Sequence, residues 1–437
     1  MTLPIAASAT FADRIRTREA RVGIIGLGYA GLPLALAFAE AGFEVTGVDV
    51  SSERVDAVND SRSYLVDVPA ERYEPVKDKL RATTDYAAVD TLDALTICVP
   101  TPLSKTRSPD LRYIVSAAES VAEHLQPGQL IILQSTTYPG TTQDVIVPIL
   151  EEKSGFRCGE DFFVGYAPER VDPGNQQYNL RNTPKLVAGI TQECRSRTKL
   201  LYETVVDDVV PLSSTTVAET AKLHENTFRA VNIALANELA LMCDRLGISA
   251  WEVIDAAGTK PFAFLKHYPG PGLGGDCIPV VPHFLSWRLK EYGFSTRLID
   301  AAHEVNASKP AHVIQKIADA LNDQGRAIKR SRILLLGMAY KPDVHDTRES
   351  PSLEIYRQLQ LRGADVRFCD PWVPVVQIGD ERHYTVEWTA DAVRDADCVV
   401  MLTPHTRIME TPHWRDANLV VDTRNVVPND VPNVWRI

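Results

Sequence analysis

The stretch RVGIIGLGYAGLPLALAFAEAGFEVTGVDV, residues 21–50, constrains the fold more than any other part of the chain. It predicts an apolar strand, a glycine turn, a helix and a second strand that ends at Asp49. Gly26, Gly28 and Gly31 give the spacing G-x-G-x-x-G, and the acidic residue follows about twenty positions later, as in a dinucleotide-binding βαβ unit. The pyrophosphate of such a ligand sits at the helix N-terminus. The expected contacts of this turn are Gly26, Gly28, Tyr29, Ala30 and Gly31.

The end of the second strand indicates which dinucleotide is bound. Asp49 can accept hydrogen bonds from both ribose hydroxyls and would repel a 2′-phosphate, so the sequence favours NAD over NADP. Arg54, five residues later, is a cofactor contact that could also attract a 2′-phosphate.

Three further predicted strands end in polar residues. ALTICVPTP leads to Thr101, QLIILQSTTYPG leads to Thr136, and FFVGYAPERV leads to Glu169. Ligands of open parallel sheets bind beyond the carboxyl ends of the strands, so these side chains are expected to line the site. The alternative for the threonines is turn chemistry without a ligand.

Composition limits the partners and the compartment. The 437 residues include 46 basic and 57 acidic side chains, and a net charge of −11 argues against nucleic acid or an anionic membrane as a partner. Seven scattered cysteines lack metal-ligand spacing and suit a reducing cytoplasm, so no metal is expected. Residues 1–20 lack the pattern of a signal peptide and are expected to form a flexible tail.

A long helix is predicted from Val217 to Leu246, a segment without Gly or Pro that opens with the capping box T-V-A-E and closes at Gly247. Such a helix is about 45 Å long at 1.5 Å per residue. It is expected to bridge domains and to form a homodimer through a buried apolar stripe. The stripe consists of Phe228, Val231, Leu235, Leu239, Met242 and Leu246. A polar set, Lys222, Asn226 and Arg229, lies on another face and is either solvated surface or part of a site.

The C-terminal part repeats the order of the first part. RILLLGMAYKP resembles RVGIIGLGYAG, and GADVRFCDP and DCVVMLTPH resemble later strands of the first sheet. We expect a second Rossmann-like sheet that does not hold a dinucleotide in the same way, because Ala339 and Pro342 replace two glycines of the turn. Lys341 suits a phosphate on another nucleotide, and Arg348 and Arg424 follow on later loops.

The predicted class is therefore α/β, with two Rossmann-like parallel-sheet domains joined by a long central helix and a small helical domain. The expected boundaries are residues 21–212 for the NAD-binding domain, 213–318 for a central helical and dimerisation domain, and 319–437 for a domain that binds a second nucleotide-bearing ligand. The glycine-rich loop GPGLGGDCIPVVPHF, residues 270–284, presents Cys277 either as a nucleophile or as an inert small hydrophobe.

Seven motifs in one order resemble the UDP-glucose/GDP-mannose dehydrogenase family, closest to its UDP-N-acetylhexosamine 6-dehydrogenase branch. They are GLGYAGLP, VPTP, STTYPGTT, APERVDPGN, AETAKLHENTFRAVN, PGPGLGGDCIP and LGMAYKPDVHDTRES. The resemblance implies a cytoplasmic enzyme that uses two NAD and one water to oxidise C6 of a nucleotide-linked hexose to the uronic acid. UDP-glucose, a UDP-N-acetylhexosamine and dTDP or GDP analogues all remain open as substrates.

The resemblance also implies roles for individual residues. The catalytic set is Cys277 as nucleophile with Lys222, Asn226, Thr136 and Glu169. Arg348 reaches toward the cofactor. The substrate set is Glu169, Lys222, Asn226, Arg229, Lys266, Tyr268, Gly272, Gly274, Gly275, Tyr340, Lys341 and Arg424, and the glycines are expected to admit the sugar nucleotide.

One departure from the family pattern C-x-x-x-D-P stands next to the nucleophile. Val281 occupies the place of the aspartate, and Asp276 precedes the cysteine. Because of Val281, a catalytically weak protein that binds NAD and a nucleotide sugar stays open as an alternative. A two-electron dehydrogenase of the 3-hydroxyacid type also stays open, since such enzymes share a Rossmann domain and a K-x-x-x-N-type helix.

Overall fold

A computed structural model describes most of the chain, namely residues 10–65, 68–104, 108–172, 174–175 and 177–437. The prediction of a flexible tail over residues 1–20 is wrong for its second half. Phe11–Thr17 form helix α1, which begins with a capping box, and both Ile15 and Ala20 are fully buried. Apolar burial therefore holds this segment on the first sheet domain, whereas residues 1–9 lie outside the described residues.

The chain divides into two compact units. The first comprises residues 1–224 and 283–293, and the second comprises residues 225–282 and 294–437. Each unit is built around its own parallel sheet.

The sheet of the first unit has eight strands in the order β3-β2-β1-β4-β5-β6-β7-β8. Neighbouring strands are parallel except at the β6–β7 pair, which is antiparallel. The strands are β1 (Arg21–Ile25), β2 (Glu44–Val48), β3 (Leu80–Thr83), β4 (Ala94–Ile97), β5 (Leu130–Leu133), β6 (Phe163–Tyr166), β7 (Lys185–Gly189) and β8 (Val209–Pro211). The order reverses between β1 and β4, which places the ligand crevice at their carboxyl ends.

Helices cover both faces of this sheet. They are α2 (Gly31–Glu40), α3 (Ser52–Asn59), α4 (Arg112–Ala122), α5 (Val147–Ser154) and α6 (Gln192–Tyr202), with a π-helical turn at Thr142–Ile146 and 3₁₀ turns at Ala70–Arg72, Glu74–Val76 and Tyr86–Thr91. Successive strand residues point into different apolar clusters, for example Ile24 into one and Ile25 into the other. This alternation is expected for a parallel sheet that is buried on both faces.

The second unit contains a five-stranded parallel sheet in the order β10-β9-β13-β14-β15 and a separate two-stranded hairpin. The strands are β9 (Arg332–Leu336), β10 (Asp365–Cys369), the hairpin strands β11 (Val375–Ile378) and β12 (Glu381–Tyr384), β13 (Cys398–Met401), β14 (Val420–Asp422) and β15 (Val434–Arg436). The predicted fold class, with two Rossmann-like parallel sheets, is confirmed.

The remaining helices follow in chain order. They are α7 (Thr215–Leu246), α8 (Ala250–Ala257), α9 (Val281–Lys290), α10 (Arg297–Asp323), α11 (Pro351–Leu361), α12 (Ala390–Asp395) and α13 (Thr406–Met409), with a 3₁₀ turn at His413–Asp416. Within the described residues, no helix combines the length and the apolar character needed to cross a membrane.

Helix α7 confirms the predicted long helix and corrects two details. Ser214, rather than the predicted T-V-A-E box, caps its start by accepting a hydrogen bond from the Val217 N–H. The expected buried stripe is wrong for the single chain, since Leu235 and Leu246 are 61% and 70% exposed. The helix instead buries small side chains, which allow close packing within the unit. They are Ala230, Ala234, Ala236, Ala240 and Cys243.

Candidate active site

The glycine turn between β1 and α2 has the geometry of a pyrophosphate site. Gly26 has φ +93°, and a Cβ on Gly31 would lie 1.8 Å from the Gly26 carbonyl oxygen, so both positions exclude a side chain. A Cβ on Gly28 would meet no atom within 4 Å, which leaves open space above the backbone. Ala30 is the N-cap of α2 and offers no side-chain cap, while Tyr29 is exposed. The helix N-terminus is thus available to an anionic ligand.

Asp49 lies at the carboxyl end of β2, where an NAD ribose would bind. Its carboxylate accepts the N–H groups of Leu27 and Ser51 at 2.7 and 2.9 Å. The Arg54 guanidinium lies 3.3 Å from Asp49 Oδ2. The acidic side chain is therefore held in place by backbone donors, as a ribose ligand requires, and Arg54 is tied to it. This arrangement fits NAD.

Two hydroxyl residues meet beyond the carboxyl ends of β4 and β5. The Thr101 hydroxyl donates to the Thr136 carbonyl oxygen at 2.7 Å, and the Ser135 hydroxyl donates to the Val99 carbonyl oxygen at the same distance. These bonds join the two loops and leave the Thr136 side chain half-buried. The structure thus brings Thr101 and Thr136 together at the predicted edge.

Glu169 belongs to a buried polar network that the sequence did not reveal in full. Its Oε2 lies 3.2 Å from Lys185 Nζ, and its Oε1 accepts the Arg170 and Val171 N–H groups, both at 2.8 Å. Burial acts to raise the pKa of Glu169, but Lys185 and the backbone donors outweigh it and hold the pKa below its ordinary value. The signal for Lys185 was a lysine that opens a buried strand, because such a charge needs a partner.

Helix α7 presents Lys222 and Asn226 one turn apart, and both are buried. Asn226 Nδ2 has no hydrogen-bond partner among the described residues. A buried amide without a partner is costly, and a bound water or substrate oxygen would satisfy it. Arg229, the third member of the predicted polar set, is exposed.

The glycines of the cysteine loop pack against the chain's own residues. A Cβ on Gly274 would lie 2.5 Å from Tyr340 Cβ, and one on Gly275 would lie 2.9 Å from the Tyr340 ring. A Cβ on Gly272, which has φ +146°, would lie 3.0 Å from Pro351 Cβ. These glycines therefore have a second explanation besides admitting a ligand. With side chains at these positions, the loop and the segment around Tyr340 could not approach each other so closely.

Cys277 follows the glycines of this loop and is exposed. Arg348 holds the two preceding residues, since its carbonyl oxygen accepts the Gly275 N–H at 2.8 Å and its guanidinium lies 2.7 Å from Asp276 Oδ2. The Cys277 carbonyl oxygen accepts the Val281 N–H, and α9 begins at Val281, whose side chain is buried. A turn thus separates the thiol from α9.

The segment just before the glycine-rich loop is held by contacts with α8. Lys266 Nζ lies 2.8 Å from Asp255 Oδ1, and the Tyr268 hydroxyl donates to the same oxygen at 2.6 Å. The Tyr268 ring also stacks on Trp251, with ring centroids 4.7 Å apart. Both predicted substrate residues are therefore engaged with one carboxylate, Asp255.

Two cations lie on loops of the second sheet. Lys341 is half-buried, with its ammonium 5.8 Å from the centroid of the Tyr340 ring. The Arg424 guanidinium donates to the Leu402 carbonyl oxygen at 2.7 Å and would lie 2.6 Å from a Cβ on Gly270. Burial lowers the pKa of Arg424 to about 10, although Asp422 acts in the opposite direction. The glycine at position 270 thus makes room for this arginine.

The second sheet has an acidic residue where the first has Asp49, but its oxygens are already occupied. Asp370 Oδ2 accepts the N–H groups of Met338 and Ala339, and Oδ1 accepts those of Trp372 and Val373. His405 Nε2 adds a fifth contact at 3.0 Å. A carboxylate has about four acceptor sites, so this one cannot take a ribose diol. No cluster of three or more His, Cys, Asp or Glu in the described parts of the chain is arranged to hold a metal ion.

Comparison with known proteins identifies the family. The chain matches the NAD binding domain of the UDP-glucose/GDP-mannose dehydrogenase family over residues 20–206, its central domain over 216–308 and its UDP binding domain over 334–429.

Individual relatives agree with these matches. A UDP-N-acetyl-D-mannosamine dehydrogenase from Pyrococcus horikoshii is 34% identical, over 93% of this chain and 96% of that protein. A UDP-N-acetyl-D-glucosamine 6-dehydrogenase from Pseudomonas aeruginosa is 35% identical, over 82% and 84%.

Solved structures are similar along the whole chain. The UDP-D-ManNAc dehydrogenase from Pyrococcus horikoshii superimposes with a TM-score of 0.88 at 33% identity, over 95% of this chain and 98% of that one. A UDP-glucose dehydrogenase from Pyrobaculum islandicum gives 0.83 at 25% identity, over 100% and 98%. The resemblance drawn from the motifs and the assignment of NAD are therefore confirmed, and the chain belongs to the UDP-glucose/GDP-mannose dehydrogenase family as an NAD-dependent nucleotide-sugar dehydrogenase.

Proposed function

We propose that the enzyme oxidises C6 of a nucleotide-linked hexose twice, from alcohol through aldehyde to carboxylate. The observation that carries this proposal is the exposed thiol of Cys277, since the other six cysteines are buried or half-buried. A hydride acceptor alone takes an alcohol only to an aldehyde, which lacks the hydroxyl needed for a second hydride loss. A nucleophilic thiol removes that obstacle.

The chain's own residues then have distinct tasks. The Gly26 turn and Asp49 would hold NAD, which would supply the hydride acceptor for each oxidation. The Cys277 thiolate adds to the aldehyde carbon to form a thiohemiacetal, and loss of the second hydride leaves a thioester that water hydrolyses to the carboxylate and the free thiol. Lys222 stabilises the alkoxide that forms on the reacting oxygen. Asn226 and Thr136 hold the water, a task supported by the unpartnered Asn226 Nδ2.

Val281, which replaces the aspartate of the family pattern, is the reason to consider a catalytically weak protein as a second candidate. A carboxylate at this position would orient the lysine and the water, and a valine cannot do so. Asp276 is the nearest acidic residue along the chain, but it is paired with Arg348 at 2.7 Å. We therefore expect thioester hydrolysis to limit turnover, and a protein that binds both ligands without turnover is the second candidate.

A UDP-N-acetylhexosamine is the proposed substrate, with UDP-glucose and the dTDP and GDP analogues as alternatives. Relatives whose names specify UDP-N-acetyl-D-mannosamine and UDP-N-acetyl-D-glucosamine support this choice. Lys341 and Arg424, with the loop that includes Lys266, Tyr268 and the three glycines, are the proposed nucleotide-sugar contacts. Arg348 remains a proposed cofactor contact.

The test is the number of NADH formed per sugar across UDP-, dTDP- and GDP-hexoses at limiting sugar. Two NADH per sugar with a UDP-N-acetylhexosamine support the proposal. One NADH would indicate a two-electron dehydrogenase, and none with any sugar, despite measurable binding, would indicate the binding protein.

We further propose a homodimer formed through α7. Its large apolar side chains Phe228, Leu235, Met242 and Leu246 are 45% to 70% exposed, and a second copy of the same helix would cover them. Sedimentation at micromolar concentration should give twice the chain mass, and a monomer would refute the proposal.

The proposed division of labour assigns NAD to residues 21–212, dimerisation and the nucleophile to 213–318, and the sugar nucleotide to 319–437.

A cytoplasmic location is proposed because none of the seven cysteines forms a disulfide. Fractionation of the source cells would test the location.

A further inference from the structure

A fully buried carboxylate, Glu219, joins helix α7 to the loop that follows β5. Its Oε2 accepts the Gly140 N–H at 2.6 Å, and its Oε1 accepts the N–H and the hydroxyl of Thr142 at 2.9 and 2.6 Å. These N–H groups lie where the π-helical turn Thr142–Ile146 begins and α5 continues. The first N–H groups of a helix have no partner within it, so Glu219 caps this helix from another element.

The charge of Glu219 is finely balanced. Burial raises its pKa to about 7, although the Thr142 and Gly140 donors act in the opposite direction. Asp144 raises the pKa further and is itself paired with Arg288 at 3.3 Å. A carboxylate at a helix N-terminus is favoured by the partial positive charge there. The three donors thus stabilise the ionised form of Glu219 against the cost of its burial.

The loop held by Glu219 carries a proposed site residue. Thr136 lies near its beginning, where the Thr101 hydroxyl holds the Thr136 carbonyl oxygen. In the middle of the loop the Tyr138 ring contacts Trp287 of α9, with ring centroids 4.9 Å apart. Glu219 therefore fixes the end of a segment whose beginning and middle are already anchored.

Glu219 also stands three residues before Lys222 on α7, and residues at this spacing are neighbours on a helix surface. We propose that Glu219 is a positioning residue that fixes the Thr136 loop relative to Lys222. This inference rests on the proposed function, in which both side chains contact the reacting groups. Small displacements of such groups cost rate more than binding.

Glu219→Gln is the informative variant. The amide has the same size, but its NH₂ donates where the carboxylate accepts, so at least one of the three donors loses its acceptor. We expect kcat to fall about tenfold while the KM values for NAD and sugar change less than about twofold. Glu152→Gln, an exposed carboxylate on α5 in the same unit, is the matched control and should leave kcat unchanged.

Hydrogen exchange in the absence of ligands provides a readout that needs no activity. In Glu219→Gln the Gly140 and Thr142 amides should exchange faster while those of β5 stay protected. Unchanged exchange, or an unchanged kcat in a folded variant, would overturn the inference. A rise in KM with constant kcat would also overturn it, since it would indicate a binding role. Failure of the proposed function is seen separately, as fewer than two NADH per sugar in the unmodified enzyme.

Discussion

Asp49 and Asp370 occupy the same position in two sheets and have different tasks. Asp49 is fixed by two backbone donors and by Arg54, and it keeps acceptor capacity for a ribose. Asp370 is saturated by four backbone donors and His405, which hold its pKa below the ordinary value against the effect of burial. One residue type at one fold position is therefore the proposed ribose contact in the first sheet and a structural hydrogen-bond acceptor in the second.

Asp49→Asn should weaken the preference for NAD. The amide oxygen can still accept the Leu27 N–H, but the charge that repels a 2′-phosphate is lost and Arg54 is released. The NAD to NADP ratio of kcat/KM should fall by at least about tenfold. Asp56→Asn, an exposed change on α3, is the control. An unchanged ratio in Asp49→Asn would show that Asp49 does not contact the ribose.

Lys309 on α10 is fully buried, and its ammonium has no hydrogen-bond partner among the described residues. Burial lowers its pKa to about 8, with Lys316 acting in the same direction and Asp244 against it. The folded pKa lies below the unfolded one, so this group costs stability while it is charged in the fold. That cost is largest below pH 8 and shrinks as the pH rises from there toward the unfolded pKa.

Lys309→Met should therefore raise the free energy of unfolding at pH 7 by about 1–3 kcal/mol. Denaturant unfolding at pH 7 and near pH 10 should show the gain becoming smaller at the higher pH. The control is Lys316→Met, a change on the same helix as Lys309. It removes the ion-pair partner of Asp244 on α7 and should not stabilise the protein. A variant less stable than the parent at pH 7 would contradict this account.

The sequence predicted those residues whose task depends on local spacing. Gly26, Gly28 and Gly31 could be predicted because their spacing lies within one strand–turn–helix segment, although a Cβ on Gly26 would also lie 2.8 Å from the carbonyl oxygen of the distant Cys98. Lys185 and Glu219 were missed as site residues because their partners lie 16 and 77 to 79 positions away along the chain. The T-V-A-E motif even assigned Glu219 to a local cap.

At the scale of elements, α7 shows how a correct helix can have its faces assigned wrongly. Spacings of three and four identify an apolar stripe but not what covers it. Within the unit, Asn237 Nδ2 instead donates to Asn306 Oδ1 on α10 at 2.8 Å, and Asn237 Oδ1 accepts the Gly270 N–H at 3.0 Å. The buried face thus consists of small side chains and Asn237, and the large apolar side chains are exposed in the single chain.

Leu235→Glu should convert the proposed dimer to monomer. A charge placed in the middle of the apolar face of α7 would be buried without a counterion in a dimer, at a cost of several kcal/mol. Sedimentation velocity at micromolar concentration measures the outcome. Leu361→Glu, a change on α11 at a position that is 69% exposed, should leave the mass unchanged. A Leu235→Glu variant that remains dimeric would place the interface elsewhere.

The whole molecule contains the βαβ arrangement twice, and the first turns of the two copies differ in the space that they leave for a ligand. The first turn keeps open space above Gly28, whereas in the second Ala339 is fully buried and a Cβ on Gly337 would lie 2.5 Å from Thr403 Cβ. The repeat was visible in the sequence because strand order and turn spacing are local properties. Two of the donors that saturate Asp370, the Met338 and Ala339 N–H groups, lie 32 and 31 positions away along the chain, so this saturation could not be predicted.

The most direct measurement is rapid-quench mass spectrometry of the enzyme with NAD and its sugar nucleotide. The account predicts a substrate adduct on Cys277 with the mass of a thioester, accumulating because Val281 gives no help to hydrolysis. Val281→Asp should drain this adduct and raise the steady-state rate about tenfold, equivalent to about 1.4 kcal/mol. Cys277→Ala should form no adduct and no carboxylate. Full turnover by Cys277→Ala, with two NADH per sugar, would contradict the account.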